Sequence, residues 1–172
     1  MEKPSVLYHG SSNKEITQVE PSSKKVRDPA EGPQVFATPD KRLASVFIVG
    51  VDDSWGNSGR HHGIPYMVIS DRERFEALDK GGAIYHLPNT TFTTDPNKGL
   101  GNLEWASSEP VQPTHKEEHE SALEAMLSHG VQVYFIDAPT YETFRNAEDH
   151  GLSILQATVS ENQRRGINPV QL

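Results

Sequence analysis

"VLYHGSS", Val6 to Ser12, decides how the rest of the chain is read. A short apolar run ends by delivering an aromatic ring, an imidazole, a bare backbone position and two hydroxyls in succession: Tyr8, His9, Gly10, Ser11 and Ser12. Gly and Ser punctuate loops in many proteins, so a strand followed by a turn accounts for part of this. A strand end carrying donors, acceptors and a position without a side chain is also what a small-molecule site needs.

Composition narrows the choice. At 172 residues the chain is long enough for one domain whose core needs neither disulfides nor metal. Hydrophobic residues make up 34%, with 13 Gly and 12 Pro, and the mean hydropathy is -0.62, which predicts a polar, loop-rich protein. No apolar run reaches bilayer-spanning length, and "MEKPSVLY" lacks the basic region and long apolar stretch of a secretory signal. With no Cys there is no disulfide framework, thiolate metal site or cysteine nucleophile. These features fit a cytoplasmic protein, or one delivered into a host cytosol. Lys+Arg number 16 against 24 Asp+Glu, a net charge of -8, and the basic residues are scattered. That balance argues against nucleic acid or an anionic membrane as partner.

Patterning predicts strands over 5–11, 35–38, 64–70, 81–88, 90–94, 131–138 and 152–159. Helices are expected over 39–49, 71–78, 114–130 and 139–151, and an extended segment over 103–113. The stretches 21–34 and 51–63 read as polar loops. The 114–130 helix has Thr114 as cap, acidic residues in its first turn, Leu123, Met126 and Leu127 on its apolar face, and Gly130 as its stop. No internal repeat is present. The expected organisation is a mixed α+β domain over 1–160 with a polar tail over 161–172.

Two histidine groups invite a metal reading. "HKEEH", His115 to His119, places two His four apart with Glu118 beside them, the H-x-x-E-H pattern of inverted zinc peptidases. On a helix His115 and His119 would share a face and Glu118 would act as base; the competing expectation is an exposed first helical turn. His61 and His62 sit in a Gly-rich stretch with no further ligand nearby in sequence, so a solvated loop is the simpler expectation. Trp55, Trp105 and Tyr85 are read as core residues.

"LYHGSS", followed by "VFATPDKRLASVF" and "EWASSEPVQP", resembles the NAD-dependent ADP-ribosyltransferases of the poly(ADP-ribose) polymerase and diphtheria-toxin type. The resemblance rests on Tyr8, His9, Gly10 and Ser11 at a strand end and on Phe36, Ala37 and Thr38 before a helix carrying Ala44 and Phe47. Glu104-Trp105, followed by Val111 and Pro113, completes it. It implies an α+β fold with an ADP-ribosyltransferase-like split antiparallel β-sheet core and short flanking helices. It also implies NAD as co-substrate, no metal, and transfer of a single ADP-ribose to an acceptor, protein or small molecule rather than nucleic acid. His9 would bond a ribose hydroxyl with help from Ser11, and Gly10 would let the carboxamide reach the main chain. Tyr8 or Phe47 would stack on nicotinamide. Glu104 would stabilise the oxocarbenium-like transition state.

The pattern departs from the family at Val35, where a Tyr is usual. The third motif has two candidates, since Gln132 opens the later strand "QVYFID" and would leave the domain without a catalytic carboxylate. Three alternatives therefore stand beside the transferase. One is a non-catalytic NAD-binding or ADP-ribose-binding or protein-interaction module of the same fold. Another is an RNA 2'-phosphotransferase drawing on Arg27, Arg42 and Arg60. The last is a zinc hydrolase using His115, Glu118 and His119.

Overall fold

The computed structural model describes residues 2–24 and 27–164. Strand β1 (Val6–Ser11) is followed by β2 (Val35–Ala37), helix α1 (Lys41–Val46), the hairpin β3 (Gly56–His61) and β4 (Ile64–Ile69), and α2 (Arg72–Leu78). Next come β5 (Gly82–Pro88), β6 (Thr93–Thr94), β7 (Trp105–Ser107), β8 (His115–His119), α3 (Ala122–Ser128), β9 (Gln132–Phe135), α4 (Ala138–Arg145) and α5 (Leu152–Arg164). The architecture is mixed α+β, with three small sheets ordered β1-β5-β8, β2-β7-β6 and β3-β4-β9. All pairings are antiparallel except β4 with β9.

Alternation along β5 builds two cores from one strand. Ala83, Tyr85 and Leu87 point to one face and pack with Leu7, Val35, Ala37, Phe92, Trp105 and Val111. Ile84 points to the other, where α1, the turn that follows it and α3 cover it with Ala44, Ile48, Ala122 and Met126. Gly10 is what lets α1 lie this close: a Cβ there would meet the Ala44 carbonyl oxygen at 1.9 Å. A third cluster, Tyr66, Val68, Tyr134, Tyr141, Phe144 and Leu155, joins the β4–β9 pair to α4 and α5.

Short helices need their ends satisfied, and here they are. Asp40, Asp71, Ser121 and Asp137 each cap a helix by accepting from a first-turn amide. Helix α3 stops in a Schellman arrangement, with Gly130 at φ 87 and the Val131 amide donating to the Met126 carbonyl at 2.9 Å.

Several sequence expectations are corrected. The helix expected over 114–130 is a strand, His115–His119, followed by a helix that starts only at Ala122. The loop expected over 51–63 contains β3, which turns into β4 through His62 and Gly63, both at positive φ. The strand expected over 152–159 is helix α5, packed on α4 through Leu152, Leu155 and Val159. The strand expected over 90–94 shrinks to Thr93–Thr94. Of the polar tail over 161–172, residues 161–164 belong to α5 and 165–172 lie outside the described residues. Among the described residues no helix is long and apolar enough to cross a membrane.

Candidate functional site

Among the described residues the backbones of sheets β1-β5-β8 and β2-β7-β6 are bridged at one place. Tyr8 and Thr38 form an isolated antiparallel bridge, the Tyr8 amide donating to Thr38 at 2.7 Å and the Thr38 amide to Tyr8 at 2.9 Å. Were the ladder to continue, the Phe36 carbonyl would face Gly10. Instead it accepts from His9 Nδ1 at 2.8 Å, so the imidazole stands at the point where the strands part. By strand alternation the Gly10 peptide groups face the same side as those of Tyr8, toward this gap.

A carbonyl can only accept, so the His9 proton is on Nδ1 and Nε2 carries the lone pair of the neutral ring. Burial lowers the His9 pKa below the ordinary histidine value, against an opposing effect of the Phe36 bond. The other residues of this block are less free. Ser11 Oγ accepts from the Asn13 amide at 3.1 Å, Thr38 Oγ1 accepts from the Asp40 amide at 3.1 Å, and Ala37 is buried. Phe36 is partly buried. Phe47 ends α1, 45% exposed, and lines a different cavity with Val49, Val51, Asn57 and Met67.

Glu104 immediately precedes β7, the strand paired with β2 through Ala37–Trp105. Its Oε1 lies 3.8 Å from Arg27 Nη1, with the Glu104 side chain 19% exposed, so the carboxylate is screened but reachable. Both atoms are shut off from solvent and neither has a hydrogen-bond partner. Burial raises the Glu104 pKa, Arg27 works against the rise, and Glu31 adds to it. Arg27 is held from its other side by Glu31 at 2.9 Å, and Lys98 closes the group on Asp28 and Glu31. Gly99 packs over Glu104, where a Cβ would meet Oε1 at 2.1 Å. No hydrogen bond or ion pair joins His9 directly to Glu104 among the described residues.

The remaining candidates sit apart. Gln132 lies on β9 in the third sheet, its Oε1 accepting from the Tyr134 hydroxyl at 2.9 Å. Arg42 and Arg60 both bind the Asp40 carboxylate and the Gly63 carbonyl. With Arg27 on carboxylates too, none of the three is left for a phosphate. His61 and His62 contact each other at the hairpin tip.

The strand geometry of "HKEEH" changes its chemistry. Glu118 shares a face with Lys116, which it pairs at 2.6 Å, so the inverted zinc-peptidase arrangement does not form. His115, Glu117 and His119 point together to the other face. There Glu117 Oε1 accepts from His86 Nε2 at 2.6 Å and from Lys41 Nζ at 2.5 Å. Burial pushes the Glu117 carboxyl up, and Lys41 and His86 more than offset this. Tyr8 packs edge-on against His86 with Lys41 Nζ 5.1 Å from its ring centre.

Sequence reasoning missed His86, Glu117, His129, Lys41 and the Arg27–Glu104 contact. Reading 115–119 with period two puts Glu117 between the histidines, and His86 is a lone polar residue in the apolar run 83–87. No local signal marks the others. No protein-family model, no curated protein and no solved structure matches the chain.

Proposed function

We propose that this protein is an NAD-dependent mono-ADP-ribosyltransferase with a split-sheet active site between β1 and β2, acting on a protein or small-molecule acceptor. The observation that carries this is the His9–Phe36 bond at 2.8 Å, set just beyond the Tyr8–Thr38 bridge that links the backbones of the two sheets. The orphaned pair Glu104 Oε1 and Arg27 Nη1 fits a ligand rich in hydroxyls. Glu104 takes the catalytic role rather than Gln132 because the strand it leads into pairs with β2, whereas β9 belongs to another sheet.

NAD supplies the ADP-ribosyl group: the C1'–nicotinamide bond breaks with its electron pair leaving on nicotinamide, while the acceptor's nucleophile bonds C1' and sheds its proton to solvent. His9, fixed through Nδ1, offers Nε2 as an acceptor for a ribose hydroxyl. The Gly10 peptide edge pairs with the carboxamide, and Phe36 supplies the partly exposed aromatic surface beside it. Glu104 stabilises the positive charge that develops on the ribose, in a setting where water screens it little. Arg27 keeps the carboxylate oriented and available in its charged form.

The test is nicotinamide release from NAD by the wild type, His9→Ala and Glu104→Gln, with NAD binding followed by calorimetry. Release by the wild type, lowered by roughly a hundredfold or more in Glu104→Gln while binding persists, supports the transferase. Binding without release assigns an NAD-binding module instead, and absence of binding overturns the proposal.

A further inference from the structure

A second constellation lies on the face of β5 and β8 that α1 and α3 partly cover. One ligand atom each from Glu117, His119 and His129 lies within 4.8 Å of the other two. Glu117 and His119 come from alternate positions of β8, and His129 is the C-cap of α3. The Nε2 atoms of His119 and His129 are both shut off from solvent without a hydrogen-bond partner, and the rings meet edge to face at 5.7 Å. Buried imidazole nitrogens normally find a donor or an acceptor, so two orphans side by side point to a missing partner that both can bind.

We infer that Glu117, His119 and His129 form a binding site for a divalent transition-metal ion of the Zn2+ class. Two imidazoles and one carboxylate are a donor set that such ions favour over Ca2+ or Mg2+, which take oxygen. A tetrahedral zinc ion keeps its ligand atoms roughly 3.4 Å apart, given bonds of about 2 Å. Side-chain rotations that draw the three groups slightly together complete it. The contacts of Lys41 and His86 both fall on Glu117 Oε1, which leaves Oε2 for the ion. The His86 bond then acts as the outer-shell contact that orients a ligating carboxylate. The neighbouring group His86, His115 and Glu117 also brings ligand atoms together. It is the poorer site, because His86 Nε2 is already committed to Glu117 and His115 is exposed.

The ion would tie the C-terminal end of α3 to the edge strand β8. This site is independent of the transferase and does not revive the peptidase pattern, since Glu118 faces away.

The chelator-treated full chain is titrated with Zn2+ by calorimetry and with Co2+ by visible absorption. The wild type is expected to bind one ion per chain and to show the intense absorption of a four-coordinate cobalt site. His119→Ala and His129→Ala should each weaken binding by about a hundredfold or more, judged against the 10- to 100-fold typical of losing an outer-shell partner. His61→Ala and His62→Ala should leave it unchanged. Should a variant fail to fold, the wild type alone decides: on adding Zn2+, the ring resonances of His119 and His129 shift and those of His61 and His62 do not. No binding by the wild type, binding indifferent to His119→Ala and His129→Ala, or binding lost only in His115→Ala would overturn the assignment.

Discussion

The His9 imidazole donates through Nδ1 to the Phe36 carbonyl, 2.8 Å away across the line where β1 and β2 part. That bond occupies the position a strand-to-strand amide would otherwise fill. It fixes the His9 ring and leaves Nε2 as the acceptor of the neutral imidazole.

Because the His9 pKa is lowered mainly by burial, the unfolded chain takes up this proton at a higher pH than the native chain does. Its contribution to stability is therefore complete above the ordinary histidine value of about 6.5 and is lost as pH falls from there toward the native value. Thermal melts of the wild type and His9→Gln across that interval should show the wild type losing more stability on acidification. Parallel curves would mean that His9 titrates normally.

Glu104→Gln separates activity from stability. Nicotinamide release should fall by roughly 10²- to 10³-fold, the range seen when one electrostatic contact to the transition state is removed. The melting temperature at neutral pH should not fall, because burial already raises the carboxyl pKa and the amide removes a charge that is costly there. A large loss of stability would show that the Arg27 contact is structural.

Asp79, at the C-terminal end of α2, anchors α3. Its carboxylate accepts from the Ala122 amide at 2.6 Å, the Leu123 amide at 3.1 Å and the Ser121 hydroxyl at 2.8 Å. Burial pushes this carboxyl up, yet these donors and the Gly81 amide together bring it below the usual range. Asp79→Asn should cost about 1–2 kcal/mol, a drop of roughly 3–6 °C in Tm. The difference should vanish as pH falls through the native Asp79 value, where the wild type loses the same charge.

Gly10→Ala should destabilise by about 1–3 kcal/mol in urea unfolding, since its Cβ has no room beneath α1. A substitution here tests the seat of α1 before it tests ligand binding. Should the variant retain full stability, α1 would have to sit farther from β1.

The β1, β2, β5 and β9 strands and helices α1, α2 and α4 were legible because each couples an apolar period to a clear start or stop. His115–His119 was not. Its five residues are all polar, so no burial pattern distinguishes period two from period 3.6, and the acidic run beside Thr114 imitates a helix start. Its place at a sheet edge accounts for the charges, which discourage pairing with another chain. Residues 152–159 misled in the opposite way: Leu, Ile and Val favour strands, but Leu152, Leu155 and Val159 recur at helical spacing and are satisfied by α4. In β3, Gly59 looks like a loop residue, yet it makes room for the Tyr66 side chain, whose hydroxyl oxygen a Cβ would meet at 2.4 Å. His9 and Glu104 were visible as candidates, whereas Arg27 reaches Glu104 from a polar loop that offers no periodic cue.

The Tyr8–Thr38 bridge is also where the join between the two sheets gives way first. A seam two amide bonds wide, each contributing on the order of 1 kcal/mol, opens more readily than the core behind it, where Leu7, Tyr85 and Leu87 pack on Val35, Ala37 and Trp105. The bridge can therefore open at its edge while the shared core keeps the two sheets together. Amide hydrogen exchange should record this as early loss of protection at Tyr8 and Thr38 while Leu7 and Tyr85, deep in their own sheet, stay protected.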